Sequence, residues 1–144
     1  MQVQEAMTRD VRVANANETI EQAARLMFDL DAGALPVGEN NRLVGMITDR
    51  DIAMRAVAQG KGPQTKVREV MTDDVKYCFD DQNIDEVTHN MGDIQVRRLP
   101  VLNRDKQLVG ILSLGDIAVN SDDGAAGGAL TGISRPGGAH NQTK

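Results

Sequence analysis

The chain repeats itself, and no other feature of the sequence narrows its fold as much. Val3–Val11 reads Val-Gln-Glu-Ala-Met-Thr-Arg-Asp-Val, and Val67–Val75 answers it as Val-Arg-Glu-Val-Met-Thr-Asp-Asp-Val. Leu35-Pro36-Val37 returns 64 positions later as Leu99-Pro100-Val101. Leu43-Val44-Gly45 and Asp51-Ile52-Ala53 return 65 positions later as Leu108-Val109-Gly110 and Asp116-Ile117-Ala118, so one residue has entered the turn between. Matches in a fixed order at a fixed spacing mean two copies of one supersecondary unit.

Each copy reads as strand, helix, strand, strand, helix, giving a mixed α/β (α+β) fold of two pseudo-symmetric repeats. In the first copy, Val11–Ala14 suits a short strand. Thr19 with Gln22 is a capping box, which satisfies the orphan N–H groups of a helix start. Ile20, Ala23, Ala24, Met27 and Leu30 then form one apolar helical face. Gly33 is read as the helix breaker, and Ala34–Val37 as a strand. The turn Gly38–Asn41 leads to Leu43–Ile47, whose near-continuous apolar run suggests burial on both faces. Thr48 can cap a helix that runs to Gln59 and is ended by Gly60. In the second copy, Val75–Phe79, Leu99–Leu102 and Leu108–Leu112 are the strands. Asn83 with Glu86 imitates the capping box, and Ser113 opens a last helix ending near Asn120.

These readings divide the chain into repeat 1 (3–60), a connector (61–66), repeat 2 (67–120) and a Gly/Ala-rich tail (121–144). The tail has few large apolar residues to offset its ordering entropy and is expected to lack structure, with Leu130 and Ile133 its only candidates for docking. Length and charge bound the function. A chain of 144 residues can bury a real core but has no room for a catalytic barrel of about 250 residues. The net charge of -5 disfavours nucleic acid, whose phosphates demand Lys and Arg, and disfavours an anionic membrane surface. Phe28, Tyr77 and Phe79 are too few for a base-stacking platform. Met1–Asp10 lacks the apolar run of a signal peptide, and Cys78 is the only cysteine, so a reduced, cytoplasmic setting is expected.

The chemistry concentrates in Gly45-Met46-Ile47-Thr48-Asp49-Arg50-Asp51 and Gly110-Ile111-Leu112-Ser113-Leu114-Gly115-Asp116. Both read G-x-x-[S/T]-x-x-D where a strand passes into a helix. The Gly admits a close neighbour, backbone or ligand. The hydroxyl either caps free N–H groups or touches an anion held by them. The Asp, one turn in, can accept two hydrogen bonds from a ribose diol, and Arg50 offers a fork for phosphate. The same residues also make an ordinary helix start, an N-cap with an acidic first turn. A single copy favours that plainer reading; the duplication with its flanking strands favours a site.

With the Glu-x-Met-Thr openings at Glu5–Thr8 and Glu69–Thr72, the Leu-Pro-Val strands and the doubled G-x-x-[S/T]-x-x-D motif, the chain resembles the CBS family over Val3–Asn120, and most of all a stand-alone CBS pair, or Bateman module. The resemblance implies two repeats packed as one module and a non-catalytic sensor that takes AMP, ADP, ATP or an NAD-like dinucleotide as regulatory ligand, with no cofactor required. It implies a flat homodimer, an unidentified protein partner, and neither nucleic acid nor membrane. It also implies two inter-repeat clefts. One joins Val11 and the backbone at Ala32–Ala34 to Ser113 and Asp116, with Arg97 as its basic contact. The other joins Val75 and Val96, Arg97 and Arg98 to Thr48, Arg50 and Asp51. Gly115 replaces Arg50 in the second copy, and Gly33-Ala34 replace Arg97-Arg98 in the first. The Thr48/Arg50/Asp51 cleft is therefore expected to be the better phosphate site. The alternative is a ligand-free interaction or dimerisation module that kept the fold.

The remaining candidates read as structural. His89 lies off the apolar helix face with no ligand at metal spacing. His140 lies in the tail, Cys78 is a small core residue, and Asp80-Asp81 approach a helix start. Asp49 and Asp51 lack the nucleophile, second acid or metal set that acid–base catalysis would need.

Overall fold

The computed structural model describes residues 1–120 and 123–134. The chain forms two compact units, and they are not the two sequence repeats. The first unit combines Met1–Val11 with the described residues from Lys76 onward; the second is Arg12–Val75. Each opening segment therefore belongs with the strands of the other copy.

In the second unit, β1 (Ala14–Asn15) runs parallel to β2 (Ala34–Glu39), which pairs antiparallel with β3 (Arg42–Thr48). In the first unit, β4 (Cys78–Phe79), β5 (Arg98–Leu102) and β6 (Leu108–Ser113) repeat that order. Even the irregularity is duplicated, with a register shift at Val37/Gly38 and again at Val101/Leu102. The strands expected at Val11–Ala14 and Val75–Phe79 are shorter and lie later. Only two residues of each find a ladder partner.

Helix α2 (Ile20–Leu30) begins at the expected box: Thr19 Oγ1 accepts from the Gln22 N–H at 3.2 Å, and Gln22 Oε1 accepts from the Thr19 N–H at 2.9 Å. Helix α4 (Ile84–Ile94) lacks the expected box. Asn83 caps the Asp85 N–H at 2.8 Å, while Glu86 accepts from the Gln82 side chain. Gly33 is not the breaker of α2. Asp31 takes the left-handed conformation at φ 52°, as Gln95 does after α4 at φ 60°. α3 (Asp49–Asp51) continues through a π turn, Ile52–Ala56, and a 3-10 turn, Val57–Gln59. Gly60 at φ 76° then ends the run as expected. Its counterpart, α5, spans Leu114–Asn120.

Two cores result. Ile20, Ala23, Met27, Leu35, Val37 and Ile47 close on Val67 and Val70 in the second unit. Ile84, Val87, Met91, Leu99, Val101 and Leu112 close on Val3, Ala6 and Met7 in the first. Burying such side chains contributes about 1.5–3 kcal/mol each. β3 is not buried on both faces: Ile47 is fully enclosed, whereas Leu43, Val44 and Met46 are half-buried. It is a terminal strand of its sheet, bridged on its free edge by Thr72, which exchanges two backbone hydrogen bonds with Met46 at 2.8 and 2.9 Å.

That edge contact explains the Glu-x-Met-Thr motif. Glu5 and Glu69 accept the N–H groups of Gln2 and Lys66, closing the short helix α1 (Val3–Ala6) and the 3-10 turn Val67–Glu69. Met7 then lies on Gly110, and Thr8 exchanges backbone hydrogen bonds with Ile111. Met71 lies on Gly45 in the same way. A Cβ on Gly110 would come within 2.5 Å of Met7 Sδ, and one on Gly45 within 2.7 Å of Met71 Sδ. The close neighbour these glycines admit is the opening segment of the other sequence copy.

The segment Ser121–Lys144, expected to lack structure, instead contributes helix α6 (Asp123–Ser134), packed against α4. Ser121, Asp122 and residues 135–144, His140 included, lie outside the described residues. The expectation weighed large apolar side chains; α6 docks through small ones. A Cβ on Gly132 would meet Gly92 O at 2.6 Å, Ala129 is only 3% exposed, and Gln95 Nε2 donates to Gly132 O at 3.0 Å. Backbone approaching backbone recovers through dispersion what the side chains lack. Leu130 stays 46% exposed, and Ile133 is half-buried.

Candidate functional site

The two strand-to-helix junctions are built alike. At the first, Asp51 N–H donates to Thr48 Oγ1 at 3.0 Å, and Thr48 N–H donates to Asp51 Oδ2 at 3.0 Å. At the second, Asp116 N–H donates to Ser113 Oγ and Ser113 N–H to Asp116 Oδ2, again at 3.0 Å. Both motifs are thus complete reciprocal capping boxes. The plainer reading of Thr48, Asp51, Ser113 and Asp116 is realised in full. It does not use up the carboxylates. The box engages Oδ2 of each, and a carboxylate offers lone pairs on both oxygens. Asp51 Oδ1 faces Arg55 Nε at 3.9 Å with its side chain 16% exposed. Each box therefore fixes its carboxylate through Oδ2 and leaves Oδ1 outside the box.

The strand entering each sheet is tied to the same junction. Asp49 N–H donates to Gly33 O at 2.9 Å, and Leu114 N–H donates to Arg97 O at 2.9 Å. Ala34 lies opposite Thr48 in register, and Arg98 opposite Ser113. The structure thus brings Ala34, Thr48, Arg50 and Asp51 together in the second unit, where Ala32 and Val75 also fall. It brings Arg97, Arg98, Ser113 and Asp116 together in the first, along with Val11 and Val96. Arg50, Arg97 and Arg98 are all exposed.

The departures between the copies are visible here. Gly33 leaves room for the Asp49 carboxylate, whose Oδ2 would be 3.0 Å from a Cβ at that position. The second unit's junction therefore carries Asp49, Arg50 and Asp51 around a bare strand entrance. The first unit's junction carries one acid, with two arginines on the strand side.

One residue near the site escaped the sequence reading. Thr8 Oγ1 donates to Asp116 Oδ2 at 3.5 Å. The repeated Met-Thr was the available signal, but it became interpretable only once the opening segment was seen on β6. Cys78 is buried beside Pro100 O, and desolvation first, then Asp80, pushes its thiol up to about 12. Asp81 holds Arg104 at 2.7 Å, which lowers the carboxyl's pKa, and the guanidinium lies 4.2 Å over the Phe79 ring. His89 Nε2 lies 3.2 Å from Asp93, and the described residues contain no group of three His, Cys, Asp or Glu able to hold a metal. No helix among them is long and apolar enough to cross a membrane.

Duplicated three-stranded units carrying duplicated capped junctions are the plan of a tandem CBS module. The CBS domain family model matches residues 3–57 and again 67–122, and the chain belongs to that family. It is 44% identical to the CBS domain-containing protein YhcV of Bacillus subtilis over 133 residues, 92% of this chain and 94% of that one. Among solved structures it resembles Hypoxic Response Protein I with two coordinated zinc ions: 35% identity, TM-score 0.76, 85% of this chain and 100% of that one. It also resembles the CBS domain pair of protein MJ0100 in complex with 5'-methylthioadenosine and S-adenosyl-L-methionine: 28% identity, TM-score 0.74, 83% and 94% covered.

Proposed function

We propose that the chain is a non-catalytic regulatory module whose ligand is an adenine nucleotide or a related adenosine compound. The observation that carries the reading is the pair of fixed carboxylates, Asp51 and Asp116, each held by its box through Oδ2 with Oδ1 outside the box. A ribose diol needs such a paired acceptor. The adenosine ligands of the MJ0100 pair support the ligand class. Thr48 and Asp51 form one set, with the Arg50 fork for phosphate; Ser113 and Asp116 form the other, with Arg97 and Arg98 on its strand side. Ligand acts by favouring one conformation that a protein partner reads, which requires different affinity for the two states. The chain works as a homodimer, and its single thiol suits the reducing cytoplasm.

Thermal-shift titration with AMP, ATP, NAD, S-adenosylmethionine and 5'-methylthioadenosine tests this. At about 100 times its dissociation constant a ligand stabilises the fold by about 2.7 kcal/mol, a shift of several degrees. A cooperative melt that no adenosine compound moves would refute it. The mutual engagement of Thr48 with Asp51 and of Ser113 with Asp116, which a plain helix start explains in full, favours a second reading, an interaction module with no small-molecule ligand. That reading predicts partner binding indifferent to Arg50→Ala.

A further inference from the structure

We propose that each opening segment is the read-out arm of its junction, and that Arg55 is the positioning residue through which the state of Asp51 reaches residues 66–75. The second unit supplies the connection. After α3 the chain widens at Ile52–Ala56 into a π turn, a rare distortion that recurs at functional sites. Arg55 stands in that turn and its guanidinium faces two ways. Nε lies 3.9 Å from Asp51 Oδ1, while Nη1 donates to Met71 O at 3.3 Å and to Val70 O at 3.5 Å. At 3.9 Å the approach to Asp51 is a charge contact rather than a hydrogen bond. One side chain thus joins the carboxylate to the backbone of the segment that lies on β3. It grips that segment at its seat: Met71 is the residue that lies on Gly45, and Thr72 beside it exchanges backbone hydrogen bonds with Met46.

The first unit makes the same connection with other atoms. Position 120 matches position 55, and Asn120 turns back onto its own helix, its Nδ2 donating to Asp116 O at 2.8 Å. α5 has no π turn and runs as an α-helix from Leu114 to Asn120. Here the opening segment reaches the carboxylate itself. Thr8 Oγ1 donates to Asp116 Oδ2 at 3.5 Å, beside the backbone bridge from Thr8 to Ile111. A guanidinium in one copy and a hydroxyl in the other therefore tie the carboxylate at the helix start to the segment at the sheet edge. A ribose diol that engages Asp51 restrains the carboxylate. Arg55, drawn to a charge of fixed position, then holds the Val70 and Met71 carbonyls more firmly, and residues 66–75 open less often. Binding and opening share one coupling free energy, so each acts equally on the other.

This regulation rests on the adenosine-site reading above, and amide hydrogen exchange followed residue by residue separates the two. Without ligand, Arg55→Ala is expected to speed exchange at Thr72 by about tenfold, through loss of hydrogen bonds from a charged donor. Asp51→Asn keeps an acceptor for the box but removes the charge, and is expected to speed it by about threefold. The Thr8 and Ile111 amides should be unmoved by either. In the double variant, Asp51→Asn should add nothing to Arg55→Ala, because the two act through one contact. Unchanged Thr72 exchange in Arg55→Ala, or effects that multiply in the double variant, overturns the coupling. Saturating ATP is then expected to slow Thr72 exchange in the parent and not in Arg55→Ala. ATP that binds both chains and slows Thr72 equally overturns the coupling alone. Failure of both ATP and 5'-methylthioadenosine to bind the parent overturns the adenosine reading, and the ligand-free variants still decide the coupling.

Discussion

The junction at Thr48-Asp49-Arg50-Asp51 and the junction at Ser113-Leu114-Gly115-Asp116 share a frame and differ in charge. Their capping boxes close at the same 3.0 Å, and a strand-entrance carbonyl, Gly33 O or Arg97 O, accepts from the first helical N–H of each. The box-closing residues differ by one methyl, Thr48 for Ser113, whereas the side chains that play no part in closing it differ in charge: Asp49 for Leu114, Arg50 for Gly115. The duplication thus preserved what builds the turn and released the side chains that the proposed ligand would meet. The residues that tell the two sites apart are the ones the fold does not need.

If the frames are equivalent, damage to either should cost alike, and the cores give the largest effect. Ile47 and Leu112 are both fully buried at matching positions. Ile47→Ala and Leu112→Ala are each expected to lose about 2–5 kcal/mol in urea unfolding. A difference well beyond that spread would show that the units are not mechanically equivalent.

The next effect falls on the interlock of opening segment and glycine. Gly45→Ala and Gly110→Ala each push a methyl into a methionine sulfur and a threonine carbonyl. Each should cost about 1–3 kcal/mol. Met71→Ala in the Gly45→Ala background and Met7→Ala in the Gly110→Ala background should cost less than the sum of their parts, because the partners touch. Strict additivity would mean that the contact is not what fixes the glycine.

The caps come third. Thr48→Ala and Ser113→Ala should each lose about 1 kcal/mol, read by the same unfolding curves.

A smaller contrast lies where Ala14 of one copy matches Cys78 of the other, both buried. The folded thiol titrates near 12 instead of its ordinary 9.0. A raised thiol pKa favours the neutral form, so its stabilisation is complete below the unfolded value. It is lost as pH rises from about 9.0 toward 12. Melting temperature across that window should fall less steeply in Cys78→Ala than in the parent; identical slopes would refute the assignment.

The sequence reading reached much of this because the repeat supplied its own control. The succession of elements along the chain, the box at Thr19, the cap at Thr48 and the Gly60 stop follow from local chemistry that needs no distant partner. What local chemistry could not reach was long-range pairing. The crossed opening segments required knowing that Met7 lies on Gly110 rather than on Gly45. Helix α6 required knowing that Gly92 waits opposite Gly132. Asp31 ends α2 in a left-handed conformation that the nearby Gly33 obscured, and Gly33 proves instead to make space for the Asp49 carboxylate. Of the site, the Ser, Thr and Asp positions were legible, while the approach of Thr8 to Asp116 was not.

The central claim, that the two junctions share a frame but differ in ligand chemistry, is tested most directly by isothermal titration of ATP and 5'-methylthioadenosine into the parent chain, Arg50→Ala and Asp116→Ala. Arg50 takes no part in the capping box, so its loss leaves the frame intact. The account predicts that Arg50→Ala weakens ATP at least tenfold while sparing 5'-methylthioadenosine, which carries no phosphate, and that Asp116→Ala weakens both, since both carry the ribose diol. Both ligands weakened alike by Arg50→Ala, or neither weakened by either substitution, would contradict it.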